Sequence, residues 1–261
     1  MAATSAERTL SVPDILSPHV VRVVAPNPSV MTLEGTNSYV VLGRTSCLVV
    51  DPGPAIPAHL AALEEAADGR PIRTIVATHH HLDHTESIAE LAARTGAETL
   101  AADTLVGRAD IGPDGVRVTA LPTPGHTDDS ISLLVADDRV LLTGDFILGR
   151  GTTVLMSPDG NLAAYLASLE ATMALVRAGA IDVMGPGHGP MVRDPLGWLL
   201  HYQQHRLDRL AQVRAALDAG HESLDDLLDA VYPDATGDVR WAAAMSLQAQ
   251  LDYLRPPHEN A

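Results

Sequence analysis

An apolar strand that runs straight into histidines sets the strongest limit on what this chain can fold into. Ile75-Val76-Ala77 leads into THHHLDHTES at 78–87, which places four histidines and an aspartate between His79 and His84. A purification tag would be an unbroken histidine run at a terminus, whereas this cluster is internal and belongs to the fold. In extended backbone, side chains two apart share a face. His79 and His81 therefore converge on one point, while His80 points away toward solvent or substrate. Asp83 and His84 follow where the chain turns into a helix, and face a second point nearby. One loop can thus serve two metal ions, but it cannot supply all their ligands.

Further donors stand in similar settings. His126 in TPGHT, Asp145 in TGD and His188 in GPGHG each lie in a glycine-containing turn after an apolar run. Glycine admits backbone conformations that aim a neighbouring side chain inward at a sheet edge. The full set is five histidines and two carboxylates. That suffices for three imidazoles on one ion, an Asp-His-His group on the other, and a carboxylate between them. Such ligands, with an open position on each ion, suit a hydrolytic zinc site.

Apolar, β-branched runs predict strands at 20–24, 39–42, 47–50, 74–78, 116–121, 131–135 and 140–143. Helical periodicity predicts helices at 57–67, 85–94 and 162–178, the last preceded by the capping signal Ser157-Pro158-Asp159-Gly160-Asn161. Early strands form hairpin-like pairs and later ones alternate with helices. The class is α+β, with sheets covered by helices rather than a purely parallel or all-β fold. Beyond 195 the pattern is almost wholly helical, so the expected division is a domain at 1–195 and a small helical domain at 196–261. Trp198, Tyr202, Trp241 and Tyr253 read as packing within that C-terminal part.

Composition excludes some partners. All seventeen basic residues are Arg, against 33 acidic residues and a net charge of −16. A broad nucleic-acid or anionic-membrane surface is not expected, although a local basic groove is compatible with that balance. The single cysteine, Cys47, lies in an apolar strand, reads as a buried thiol and leaves no intrachain disulfide. The opening MAATSAERTLSVPDIL lacks a basic start followed by an apolar run, so a cytoplasmic location is the expectation.

The ordered set His79-x-His81-x-Asp83-His84, GHT, GD and GHG resembles the metallo-β-lactamase fold superfamily. The segments 28–39 and 144–153 narrow the resemblance to the β-lactamase-like protein 2 family, whose members carry a C-terminal winged-helix-like module. The resemblance implies an αββα sandwich, with His79, His81 and His126 on the first metal, Asp83, His84 and His188 on the second, and Asp145 bridging. It implies two Zn2+ ions, with Mn2+ or Fe as alternatives. Where the family commonly has Gly-Gly after the motif, this chain has Glu86-Ser87, which makes that tail the first place to look for specificity.

The expected chemistry is hydrolysis by a metal-bridging hydroxide of an ester, a thioester or a phosphodiester. Asp83 is the candidate for orienting the water and carrying a proton. Asp51, at a strand end before Pro52-Gly53, is placed to support a ligand imidazole. Arg150 is a candidate for an acidic group of the substrate, and the resemblance implies Asn37 with Thr36 at the pocket mouth. Single-stranded RNA cleavage follows from the resemblance but sits poorly with the acidic balance. A small-molecule ester or thioester suits it better, and a homodimer is compatible with either. An iron-dependent oxidoreductase on the same scaffold and a vestigial site are the remaining readings. Antibiotic hydrolysis is disfavoured by the lack of an export signal and by Asp145.

Overall fold

In the computed structural model, which describes residues 13–105 and 110–254, two mixed sheets stack face to face. The first holds β1 (Asp14–Ile15), β2 (Val20–Val24), β3 (Asn37–Leu42), β4 (Cys47–Val50), β5 (Ile72–Val76) and β6 (Glu98–Leu100), in that order across the sheet. Helices α1 (Pro57–Ala66), α2 (Leu82–Thr85), α3 (Ile88–Thr95) and α4 (Ala102–Leu105) are interleaved with its later strands. The second sheet follows the order β10 (Val183–Pro186), β9 (Val140–Gly144), β8 (Ile131–Val135), β7 (Val118–Pro122), with α5 (Leu162–Arg177) joining β9 to β10. Strands β1 to β4 pair antiparallel, whereas β4–β5, β5–β6 and β9–β10 are parallel.

Period-two alternation builds the layers. Val20, Tyr39, Val41, Leu48 and Val50 face Val118, Leu133, Val135 and Leu142 of the second sheet. The opposite set, Val21, Val23, Val40, Cys47 and Val49, packs under Leu60 and Leu63 of α1 and Leu91 of α3. On the far side, Leu141 and Met184 meet Tyr165 and Leu169 of α5. The order is therefore helix, sheet, sheet, helix. Cys47 is fully buried, as expected.

Several expected elements shift. Strand β5 ends at Val76 because Thr78 leaves the ladder: its N–H goes to the Asp51 carboxylate and its C=O accepts from Ile131 N across the sheets. The expected helix 85–94 divides into α2 and α3, since Ser87 N–H bonds Gly53 O instead of continuing the turn. Strands β1, β6 and β10 were not legible, being short and weakly patterned.

Helix α6 (Pro195–Asp218) starts at the expected division, with Asp194 accepting from Gly197 N. Packing is continuous across that point, because Leu199, Tyr202 and Leu210 share the cluster of α5. A separate core begins at Val213 and joins α6 to α7 (Leu224–Val231) and α8 (Gly237–Leu254). No strand follows β10 among the described residues, so no β-wing accompanies these helices. Trp198 and Tyr202 point into the sandwich, while Trp241 and Tyr253 are largely exposed rather than packed. No helix of the described residues is long and apolar enough to cross a membrane.

His59 of α1 is buried, with Nε2 2.8 Å from Ser38 Oγ and Nδ1 lacking any hydrogen-bond partner. Burial pushes its pKa down to about 4. The folded state thus binds this proton less readily than the unfolded chain, whose histidine titrates near 6.5. Stability is full above pH 6.5 and falls as pH drops toward 4, by about 2 to 3 kcal/mol at pH 4.5 from this group. Denaturant melts at pH 7.5 and 4.5 check this: the acid loss shrinks by that amount in His59→Gln.

Candidate metal centre

Every predicted donor lies just past a strand end on one edge of the sandwich. His79 to His84 follow β5, His126 follows β7, Asp145 follows β9, and His188 follows β10. Gly144 makes the close approach possible: at φ +50° its backbone passes so near Thr78 that a Cβ would lie 2.3 Å from Oγ1. Gly187 does the same beside the site, where a Cβ would lie 2.4 Å from Asp145 Oδ1.

The seven residues come together as two groups. His79 Nε2 and His126 Nε2 each lie 3.1 Å from His81 Nδ1. On the other side, His188 Nε2 is 3.3 Å from His84 Nε2 and 3.2 Å from Asp83 Oδ2. Asp145 stands between, with Oδ1 at 3.5 and 3.4 Å from His84 and His188 Nε2, and Oδ2 at 3.8 Å from His126 Nε2. The donor atoms of His79, His81 and His126, and those of Asp83, His84 and His188, each lie within 4.8 Å of one another and could hold a metal ion.

The opposite ring nitrogens are anchored. His126 Nδ1 bonds Val154 O at 2.8 Å, and His188 Nδ1 bonds Gly35 O at 3.2 Å. Asp51 accepts from Thr78 N at 2.6 Å, from Thr78 Oγ1 at 2.8 Å and from His84 Nδ1 at 3.0 Å. With its hydroxyl hydrogen given to Asp51, Thr78 Oγ1 accepts from His79 Nδ1 at 3.0 Å. Asp51 adopts φ +50°, a strained value for a non-glycine residue, and is buried. These bonds leave the Nε2 atoms of His79, His84, His126 and His188 aimed at the interior, where a cation could replace the proton on His84 and His188. Asp51→Asn turns an amide donor toward two donors, so a loss of about 2 to 4 kcal/mol and of roughly 10- to 100-fold in metal affinity is expected, checked by denaturation and zinc titration.

The electrostatics divide the groups. Burial drives the His79 pKa well below its ordinary value, lowers that of His126, and together with His126 lowers His81 to about 4. Burial also opposes charge on His84 and His188, but neighbouring carboxylates outweigh it. Asp51 and Asp145 raise His84 well above the usual range, and Asp145 raises His188 to about 9. Burial disfavours the Asp145 anion too, yet His188 and His84 hold its carboxyl well below the usual carboxylate range.

A cavity of about 240 Å³ opens onto the site. Asp83, Asp145 and three of the histidines form its floor, and Val30, Met31, Leu33, Leu148 and Met156 give it apolar walls. Arg150 stands at the wall, paired with Glu34 at 2.8 Å. Asn37 and Thr36 are not at the mouth: both are buried, and Asn37 Nδ2 is spent on Pro186 O and Gly189 O at 2.9 Å each. The Glu86-Ser87 tail faces the other way. Glu86 accepts from Ala55 N at 2.9 Å and Ser87 Oγ donates to Pro54 O at 2.6 Å, so the pair lashes α2 to the 53–55 loop. His80 points outward between Asp129 and Asp159, as expected. His19 pairs with Asp138 at 2.7 Å, and His201 lies against Trp198. Sequence reasoning missed Thr78, Thr153 and the carbonyls of Gly35 and Val154, since a backbone acceptor has no residue signature.

A helix–sheet–sheet–helix sandwich carrying this histidine and aspartate cluster at one sheet edge defines a class of metal-dependent, mostly hydrolytic proteins. The chain belongs to the metallo-beta-lactamase superfamily, whose family description matches residues 31–107 and 98–188. It is 31% identical over 259 residues to a Caenorhabditis elegans protein named beta-lactamase-like protein 2 homolog, covering 92% of this chain and 85% of that one. It is 30% identical over 220 residues to an Aspergillus chevalieri protein named atrochrysone carboxyl ACP thioesterase, covering 78% of this chain and 68% of that one. Among solved structures, a Burkholderia ambifaria beta-lactamase domain protein superposes with a TM-score of 0.79 at 19% identity, covering 96% and 90% of the two chains.

Proposed function

We propose that the protein is a dinuclear zinc hydrolase acting on acyl thioesters or related esters. The observation that carries this reading is Asp145. Its Oδ1 is buried without a hydrogen-bond partner among the described residues, while its two oxygens face the two donor groups separately. Within the protein its negative charge is offset by His84 and His188, whose Nε2 atoms lie 3.5 and 3.4 Å from Oδ1, and cations held by the two donor groups would take over that role. His79, His81 and His126 would hold one ion, Asp83, His84 and His188 the other, with Asp145 shared; imidazole and carboxylate donors favour zinc, with manganese or iron as alternatives. When bound, such a pair supplies a water of lowered pKa and a Lewis acid for developing negative charge.

The chain's own residues supply the rest. The apolar walls exclude solvent and receive the acyl group, and Arg150 offers one cation to an anionic part of the substrate. Asp83, part-exposed at the cavity floor, takes a proton from the attacking water and returns it to the leaving sulfur or oxygen. The thioesterase name of the Aspergillus relative and the apolar walls support a thioester. RNA fits less well, because among the described residues Arg150 is the one arginine lining the cavity, which is little positive charge for a polyanion. The test is a panel of acyl-CoA and acyl-carrier thioesters, lactones, glutathione thioesters and single-stranded RNA with the zinc-loaded protein. Thioester turnover that chelation abolishes supports the proposal, and iron content with oxygen consumption overturns it.

A further inference from the structure

Helix α6 reaches the metal centre through one stripe of side chains. Trp198, Tyr202 and Arg206 recur every four residues and so share a helix face. All three bind the segment that follows Asp145 and forms a cavity wall. Trp198 Nε1 donates to Leu148 O at 2.8 Å, Tyr202 Oη accepts from Leu148 N at 2.9 Å, and Arg206 donates to Thr153 O at 2.5 Å.

Arg206 is the unusual member. It is 3% exposed, no carboxylate pairs with it among the described residues, and its Nε has no hydrogen-bond partner. A buried cation without a counter-charge is unfavourable, and an apolar residue would fill the space at less cost. What Arg206 touches is the support of His126. Thr153, whose carbonyl it holds, places Oγ1 3.2 Å from His126 Nδ1, and the next carbonyl, Val154 O, takes the Nδ1 hydrogen at 2.8 Å. The guanidinium also lies over the Tyr165 ring at 5.0 Å. Tyr165 in turn closes on Gly125, where a Cβ would lie 2.5 Å from Tyr165 Cα, immediately before His126. The other donor group has separate supports: His84 rests on Asp51, and His188 on Gly35.

We infer that α6 is part of the active-site scaffold and that Arg206 is a positioning residue for His126, fixing its ring nitrogen through Thr153-Val154 and Tyr165. Through Arg206 the C-terminal helices are thereby coupled to the three-histidine group, whereas Trp198 and Tyr202 hold Leu148, next to Gly149, whose N–H donates to His188 O at 2.9 Å. One arm of the test needs no metal. Imidazole 15N NMR of the metal-free protein is expected to show His126 as the Nδ1–H tautomer. In Arg206→Met its signals move toward a mixed tautomer, while those of His84 stay in place.

Should the methionine variant not fold, Arg206→Lys carries the test, since it keeps a cation but loses the planar fork over Tyr165. Displacement of His126 alone supports the inference. Unmoved His126 signals in a folded variant, or equal displacement of His126 and His84, overturn it. The second arm rests on the metal reading proposed above: zinc titration of the same variant should show one binding step weakened about tenfold and the other unchanged, and two unchanged steps count against the inference. Wild-type protein that binds no zinc defeats the metal reading alone, and the tautomer arm still decides the role of Arg206.

Discussion

Asp145→Ala is expected to lower hydrolysis by roughly a thousandfold or more and to reduce zinc-dependent stabilisation, while leaving the metal-free fold intact. Among the described residues the carboxylate faces both donor groups, so its removal weakens both ions together. In the metal-free protein the substitution removes an oxygen without a hydrogen-bond partner but also the anion that holds charge on His84 and His188. These effects oppose each other, and the net change in metal-free stability is expected to stay within about 2 kcal/mol. Zinc at a hundred times its dissociation constant adds about 2.7 kcal/mol per site to the wild type, and that increment shrinks in the variant. Thermal melts with and without zinc measure it directly. A variant still stabilised by zinc to the wild-type extent would contradict the shared-carboxylate assignment.

Asp83→Asn should separate chemistry from binding. Asp83 sits on the short helix α2 at the cavity floor, and His188 beside it helps hold its carboxyl below the usual range against the cost of burial. It is therefore anionic at neutral pH and able to accept a proton. The amide keeps the size and one donor oxygen but loses that capacity. Turnover is expected to fall by about 10²- to 10⁴-fold with KM changed little, and zinc should be retained at the three-histidine group. Steady-state kinetics on the metal-loaded variant, paired with metal analysis, make the measurement. Near-wild-type kcat would remove Asp83 from the proton path.

What the sequence made legible follows from which interactions have a residue signature. The HxHxDH stretch and the three glycine-containing turns mark side chains that must meet, and strand periodicity says where they start, so the seven side chains that converge could be named from residues alone. Asp51 could be singled out because an aspartate before Pro-Gly at a strand end is either a turn or a support. Its left-handed backbone and its bonds to Thr78 and His84 show both at once.

Asn37 was misplaced because family pattern says nothing about whether an amide faces a cavity or backbone carbonyls, and here it takes the carbonyls of Pro186 and Gly189. Glu86-Ser87 drew notice as a departure, yet its partners are backbone atoms of the 53–55 loop, invisible in one dimension. Arg206 lay hidden for a different reason. On a helix rich in charged residues an arginine reads as surface, and only packing against Tyr165 and Thr153 shows it buried.

Asp145 is proposed to stand between two metal ions. Anomalous diffraction at the zinc edge from crystals of the zinc-loaded protein tests it most directly. Two peaks per chain roughly 3.5–4 Å apart, one beside His79, His81 and His126 and one beside Asp83, His84 and His188, with the Asp145 carboxylate touching both, is the predicted result. A single peak at full zinc loading, or two that Asp145 does not bridge, would contradict it.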